Sequence, residues 1–339
     1  MSLSSMSMSH PHRLIYLIAH DQRKAMEHVI IDTDPGVDDA LAILLAFASP
    51  ELKVEALTTV VGNVSLEQGS LNALKLLEFL GVDDVPVAAG AVKPMLRGSR
   101  DARGVHGDTG LGEAVLPEPK LRLDSRTAVE VILQKADEYE GELTLIPVGP
   151  LTNIAAAVLA RPRIVEQLER VVIMGGAFGL TPYGGGNVNS VAEFNIWHDP
   201  EAAQIVFDSG VPLTAVGLDV TTDPSNQMSK EMHGEIDGLG TPRAKLVADL
   251  YRGNVMRRGY ASLHDPIAVA AVLAPDIVGV ERHRVDVECV SELSKGQTVV
   301  NRRFHRPADP DEMNVDVCVK VDGGRFLGLV MDRVVRGVS

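Results

Sequence analysis

Cysteine is nearly missing from this chain: Cys289 and Cys318 are the only two in 339 residues, far apart and outside any C-x-x-C pair. That excludes a disulfide framework and a thiolate-built zinc or iron-sulfur site, and a reducing cytoplasm is the expected compartment. Aromatic residues are scarce too, at 4% with a single Trp, which leaves few flat side chains for stacking on a ligand. Positive charge is outweighed: 32 Lys and Arg face 46 Asp and Glu, a formal net charge of −14. With no basic stripe beyond the small cluster Arg97, Arg100 and Arg103 in a Gly-rich loop, a nucleic-acid partner is not expected. Long apolar runs are lacking as well. None reaches the length of a membrane span, and Leu14 to Ala19 is too short for a signal-peptide core, so no membrane partner is expected. What remains is a soluble globular composition, 45% hydrophobic, ample for a sizeable core. Residues 1–25, rich in Ser, Met and His, are expected to be a disordered extension, with Met26-Glu27-His28 a natural start before the first strand.

Against these absences stands a local excess. The run Val29-Ile30-Ile31 ends in Asp32-Thr33-Asp34-Pro35-Gly36-Val37-Asp38-Asp39, which places four carboxylates within eight residues. The β-branched run reads as a buried strand, Pro35-Gly36 as its stop, and Leu41, Leu44, Leu45 and Ala48 as one face of a following helix. Backbone amides and a helix N-terminus relieve part of the repulsion at such a corner, but not four charges packed together. A hard cation would, and calcium and magnesium both take carboxylate and carbonyl oxygens. The bland reading, that these acids merely cap a helix or an Asx-turn, accounts for one or two of them. An EF-hand loop fails on spacing, because position twelve counted from Asp32 is Ile43, where a bidentate Glu is required.

Taken in order, strand-like and helix-like segments alternate. Val54 to Val61, Val85 to Ala88, Leu143 to Val148, Arg170 to Met174 and Leu213 to Leu218 read as strands, with helical patterns between them. The long Gly- and Arg-rich loop from Gly90 to Gly112 and the Gly-rich segment from Ala177 to Ser190 interrupt the alternation, and Thr221 to Gly240 has no clear period. Extra strands follow at His283 to Val290, Thr298 to Phe304 and Val315 to Val321, closed by a helix from Arg325. The expected fold is α/β: an open, mostly parallel twisted sheet with helices on both faces, formed by a single domain over residues 26–339. Asp34, Asn63, Val148, Gly175 and Asp219 all fall at or just beyond a strand's carboxyl end, where open α/β sheets bind ligands.

The residues gathered there are carboxylates, carboxamides and histidines, with no serine or cysteine in a nucleophile elbow. Asn63, Asn187, Asn195, Glu193 and Asp38 suit several sugar hydroxyls, each with a matched donor or acceptor. A metal-held water is the candidate nucleophile, with Asp34 as its base.

These features resemble the inosine-uridine preferring nucleoside hydrolase family. Asp32-Thr33-Asp34-Pro35-Gly36-Val37-Asp38-Asp39 matches the family's N-terminal D-x-D-P-G-x-D-D signature. Supporting matches are Gly62-Asn63, Val105-His106-Gly107, Gly149-Pro150-Leu151-Thr152-Asn153, Met174-Gly175-Gly176, Ala192-Glu193-Phe194-Asn195-Ile196 and His264-Asp265-Pro266. The resemblance implies calcium-dependent hydrolysis of the N-glycosidic bond of ribonucleosides to ribose and free base, in a Rossmann-like fold that assembles as a homotetramer or homodimer. It also implies that Asp34, Asp39, Asp265 and the carbonyl of Val148 bind calcium, that Asp34 takes the proton of the attacking water, and that Asp38, Asn63, Asn187, Glu193 and Asn195 grip the ribose while Met174 lines its pocket. His264 is the candidate acid for the leaving base, and His106 is placed beside the substrate as a contact or a loop anchor. Tyr251 and Tyr260 are candidates to face the base, and the lack of an aromatic wall for sandwiching a purine favours pyrimidine nucleosides such as uridine. Two rivals share parts of the pattern: a magnesium phosphohydrolase of the haloacid dehalogenase type, which also opens on D-x-D, and a non-catalytic calcium-stabilised sugar-binding protein.

Overall fold

A computed structural model describes residues 26–99, 103–303, 305 and 307–338. The expected disordered extension over 1–25 lies outside the described residues, as do Arg100 and Phe304. The strands are β1 (Glu27–Thr33), β2 (Leu52–Thr59), β3 (Val87–Ala89), β4 (Leu143–Pro147), β5 (Leu168–Met174), β6 (Leu213–Val216), β7 (Met228–Ser229), β8 (Tyr260–Ala261), β9 (Val278–His283), β10 (Val285–Val287), β11 (Thr298–Val300) and β12 (Val315–Val321). Eight of them form one sheet in the order β3-β2-β1-β4-β5-β6-β12-β9. Every neighbouring pair in it is parallel except β12 with β9. β7 pairs with β8, and β10 with β11, in two small antiparallel ribbons.

The β-branched run of β1 explains its central place. Val29 and Ile31 point into one buried apolar cluster, with Leu41, Leu44 and Ile267, while Ile30 points into another, with Leu145, Ile154 and Val206. A strand apolar on both faces needs helices on both, which is the doubly wound arrangement expected from the alternation. Successive strands run outward from β1 to β2 and β3, and the chain then returns to place β4 on β1's other side. That reversal opens a crevice at the carboxyl ends of β1 and β4, just where Asp34 and Val148 leave the sheet.

Asp32 locks this crevice from beneath. Its Oδ1 accepts from the Thr58 hydroxyl of β2 at 2.5 Å and from Asn153 Nδ2, in the first turn of the helix Thr152–Ala160 that follows β4, at 2.8 Å. One side chain therefore ties β1 to β2 and to the helix after β4, below the site.

Local chemistry sets the helix ends. In the helix Pro242–Arg258, Thr241 caps the start by accepting from the Ala244 N–H, Pro242 takes the first turn, and Gly259 ends it at φ +85°. It extends the helix expected over Arg243 to Met256 by one residue and two. The unpatterned region Thr221 to Gly240 holds short turns, β7 and the helix Lys230–Gly238, whose only large apolar side chains, Met232 and Ile236, are too few to show its period. Of the expected C-terminal strands, Val315 to Val321 forms in full as β12, whereas β10 and β11 keep only three residues each, and β9 is an additional strand. The closing helix starts at Gly323 rather than Arg325 and widens into a π-helical stretch over Val330–Arg336. Among the described residues no helix is long and apolar enough to cross a membrane.

Asp219, flagged by its place after β6, is structural. Its carboxylate accepts from the N–H groups of Phe178 (2.8 Å), Leu180 (2.6 Å) and Thr181 (3.0 Å), and so fixes the Gly-rich loop after β5. Asp219→Ala would strand three amides and should cost about 3 kcal/mol in urea unfolding; a loss below about 1 kcal/mol would show that the loop stands without it.

Candidate active site

The acid corner is built by the turn between β1 and the helix Val37–Phe47. Asp39, in that helix's first turn, is fully buried and accepts four hydrogen bonds. Its Oδ1 takes the Thr33 hydroxyl (2.7 Å) and the Asp34 N–H (3.1 Å), and its Oδ2 the Gly36 N–H (2.9 Å) and Asn63 Nδ2 (3.0 Å). Asp34 is equally buried, and its Oδ2 accepts the Asn63 N–H at 2.6 Å. That contact needs a glycine before Asn63, since a Cβ on Gly62 would lie 1.9 Å from Asp34 Oδ2. The other oxygen of Asp34, Oδ1, is buried without a partner, and so is Asp32 Oδ2.

Burial and mutual repulsion dominate the electrostatics. Asp34 and Asp265 titrate well above the usual carboxyl range, through burial first and then the charge of Asp39. Burial raises Asp38 to about 6, against the opposing pull of His106, and raises Asp32 to about 7. Among the described residues no group of three or more His, Cys, Asp or Glu side chains is already arranged around a metal position. The acids converge as a field of charge rather than as a finished coordination shell, because the oxygens of Asp39 are turned to its four donors.

Above this floor lies a cleft of about 420 Å³. Asp38, Asn63, His106, Val148, Met174, Asn187, Glu193, Asn195, His264 and Asp265 all line it, whereas Asp34 and Asp39 lie beneath it, out of the lining. The structure thus brings the expected metal-binding, sugar-binding and catalytic residues together at two depths, and leaves Tyr251, Tyr260 and Asp219 out of the lining. Asn195 Nδ2 donates to the carbonyls of Val148 (2.9 Å) and Met174 (3.0 Å), joining the ends of β4 and β5. Glu193 caps the short helix Phe194–His198, accepting the Asn195 N–H on Oε1 (2.9 Å) and the Gly176 and Ile196 N–H groups on Oε2 (3.1 and 3.2 Å). Burial raises its pKa, and these amides oppose the rise. His106 Nδ1 accepts the Val37 N–H at 3.1 Å, so the ring's proton sits on Nε2 and the loop is anchored to the helix start. Burial lowers its pKa. His264 Nδ1 meets the Thr221 hydroxyl at 2.8 Å, and burial, aided by the charge of Arg258, lowers it to about 4.

Several lining residues were not singled out from the sequence: Phe194, Trp197, Val188, Asn254, Arg258 and Ser262. Phe194 lay inside a quoted motif, and Trp197, the sole tryptophan, follows it directly. With both in the cleft, the expectation of no aromatic wall is corrected, and the ground for a pyrimidine lean goes with it. Tyr251 is not among the residues that line the cleft. It is wholly buried, its hydroxyl lacks a partner at normal hydrogen-bond geometry, and its pKa is driven well up by burial and by the neighbouring charge of Asp38. Tyr260 sits half-exposed on β8, outside the cleft lining.

The sequence model of the inosine-uridine preferring nucleoside hydrolase family matches residues 29–328, and the chain belongs to that family, hydrolases acting on N-glycosyl compounds. It is 42% identical over 315 residues to the inosine-uridine preferring nucleoside hydrolase of Leishmania major, covering 91% of this chain and 97% of the relative. It is 39% identical to the pyrimidine-specific ribonucleoside hydrolase RihA of Escherichia coli O1:K1, covering 90% and 97%. The solved purine-preferring ribonucleoside hydrolase of Gardnerella vaginalis superposes with a TM-score of 0.83 at 34% identity, covering 91% and 98%.

The raised Asp32 makes a stability test. The unfolded chain ionises it near 3.8 and the folded chain near 7, so its contribution is full below the first value and is lost as pH rises through the second. In cation-free buffer the melting temperature of the wild type relative to Asp32→Asn should fall across that window. A difference that stays level or grows with pH would contradict the assignment.

Proposed function

We propose that residues 26–339 act as one ribonucleoside hydrolase domain that uses a bound divalent cation, calcium, to release ribose and free base. The observation that carries this reading is the stacking of an over-acidic buried floor beneath a ring of amide and carboxylate groups suited to ribose hydroxyls. The floor fits a hard cation: Asp34 Oδ1 has no partner, and Asp34 and Asp265 are driven towards protonation by the charges around them. Asp34, Asp39, Asp265 and the Val148 carbonyl, an all-oxygen donor set, would hold the ion. When bound, it supplies positive charge that favours loss of a proton from water and draws in ribose hydroxyls.

The chain's own groups do the rest. Asp34 takes the proton of the attacking water. Asp38, Asn63, Asn187, Glu193 and Asn195 hold the sugar hydroxyls, Met174 packs on the ring, and His106 presents Nε2–H beside them. Cleavage makes the ribose oxocarbenium-like, so contacts that tighten in that state lower the barrier. His264 is uncharged at neutral pH. As the acid it must first take up a proton: in the imidazolium Nδ1–H donates to Thr221 Oγ1, and giving the Nε2 proton to the departing base returns a neutral ring.

The test is to incubate calcium-replete protein with inosine, uridine, adenosine and cytidine and to measure free base and reducing sugar together. Both should appear in equal amounts. Phosphate release from phosphoesters without base release, or ribose binding without turnover, would replace this reading with one of its two rivals.

General acids contribute roughly 10²- to 10⁴-fold. His264→Ala should therefore lose a factor of that order on natural nucleosides while sparing a nitrophenyl riboside, whose leaving group needs no proton. Equal losses on the two would remove His264 from that role.

A further inference from the structure

His106 reaches the cleft from a turn built of glycine. Gly107, Gly110 and Gly112 all take left-handed backbone (φ +80°, +86° and +59°), and the Gly112 N–H closes the turn on the His106 carbonyl at 2.9 Å. One hydrogen bond, from the Val37 N–H at 3.1 Å, orients the His106 ring, which stands so near Gly36 that a Cβ there would lie 2.6 Å from Nδ1. A lone neutral hydrogen bond between two separate turns is worth little net, so the turns themselves need fastening. Asn72 fastens them. It stands on the helix Leu66–Leu80, is 1% exposed and lies outside the cleft lining. Its Nδ2 donates to the Pro35 carbonyl at 2.9 Å and to the Thr109 carbonyl at 2.7 Å, while its Oδ1 accepts from Gln68 Nε2 at 2.9 Å. Pro35 belongs to the turn that presents the Val37 N–H, and Thr109 to the turn that carries its acceptor. Gly110 lets the two close up, since a Cβ on it would lie 3.1 Å from both Asn72 Nδ2 and the Pro35 carbonyl oxygen and 2.8 Å from Val64 Cγ1. Beyond the turn, the Glu113 N–H donates to the Asp249 carbonyl at 3.1 Å, so that end is seated without Asn72.

We propose that Asn72 is a positioning residue for the sugar end of the site: by clipping the Pro35-Gly36 turn to the turn after His106, it keeps His106 Nδ1 on the Val37 N–H and thereby holds the Nε2–H in the cleft. Its effect on turnover rests on the ribonucleoside hydrolase reading; its effect on the ring does not. Asn72 itself touches no substrate. Both of its N–H groups are spent on backbone carbonyls from two different segments, which is what a clip requires and what a residue merely filling the core does not. With the turns fastened, the ring's orientation is settled before a ligand arrives, and a nucleoside meets Nε2–H with little ordering left to impose. With the clip opened, the His106 end of the turn moves against the acid corner, Nδ1 leaves the Val37 N–H, and the ring loses the acceptor role that fixed its proton on Nε2.

The experiment reads the ring and the rate separately. In protein labelled with 15N-histidine, the His106 ring, assigned by its loss in His106→Ala, should show one tautomer in the wild type, with Nε2 protonated and Nδ1 bare. In Asn72→Ala it should move towards the mixture of tautomers that a free imidazole shows. On inosine and uridine, Asn72→Ala should lower kcat/KM about tenfold in the wild-type background and less than about twofold in His106→Ala, where the group it positions is gone. Gly110→Ala opens the same clip from the loop side and leaves the helix Leu66–Leu80 untouched. It should reproduce both results and add little to Asn72→Ala, and it carries the test if thermal melting shows that Asn72→Ala does not fold. An unchanged His106 tautomer in the folded variants, or the same loss of kcat/KM with and without the His106 ring, would overturn the proposal and leave Asn72 a residue of the fold alone. A wild type that releases no base from any nucleoside removes the hydrolase reading beneath, while the ring measurement still decides whether Asn72 holds His106.

Discussion

Everything in this structure is arranged around buried negative charge at the end of β1. Asp32, Asp34, Asp38, Asp39 and Asp265 are all buried. Transferring even one unpaired carboxylate from water to protein is costly, and a group of them would leave the interior if the surroundings did not intervene. The surroundings intervene unevenly. Asp39 has four donors, Asp32 has two on one oxygen, and Asp34 has the Asn63 N–H on one oxygen and nothing on the other. Much of the conserving of space nearby serves these bonds: Gly62 lets the backbone of Asn63 reach Asp34, and Asn153 reaches back under the sheet to Asp32.

From this floor outward the hydrogen-bonding character changes in steps. The bottom is acceptor-rich, the middle mixes carboxamides with Glu193, and the mouth presents Arg258 and Asn254. Two members of the middle layer, Glu193 and Asn195, are already bonded to the backbone around them. Glu193 caps the helix that carries Asn195, and Asn195 spans the carbonyls of Val148 and Met174. A side chain oriented by two or three such bonds meets its ligand with little rotamer entropy left to lose.

The sheet and the floor were legible because they rest on one-dimensional signals. A β-branched run, a Pro-Gly stop and acids at helix-opening positions are local in sequence, and the strand-end position of Asn63, Val148 and Asp219 follows from them. The phase of a long helix is not local. In Pro242–Arg258 nothing in the spacing announces that Tyr251 turns inward beneath Asp38 while Asn254 and Arg258 turn to the cleft, since a polar residue facing a cleft has the same pattern as one facing solvent. Trp197 escaped for a related reason: low aromatic content is an average over the chain, and a cleft is shaped by individual side chains. Depth was hidden too, because the sequence sets Asp34 and Asp38 in one cluster while the fold buries the first below the cleft and brings the second into its lining.

Asp219 and Asp34 show how a structural buried carboxylate differs from one kept for chemistry. Both follow a strand of the same sheet and both are wholly or almost wholly buried. Asp219 has an amide on each oxygen, three in all, and its need for partners is met inside the chain. Asp34 has one oxygen bound and one bare, among like charges that lift its pKa. A proton or a cation can satisfy it, and the two compete for the same atom, so folding stability, proton uptake and cation affinity are linked through that oxygen. A further backbone amide aimed at Asp34 Oδ1 would make the fold more stable and would take away the atom that the chemistry needs.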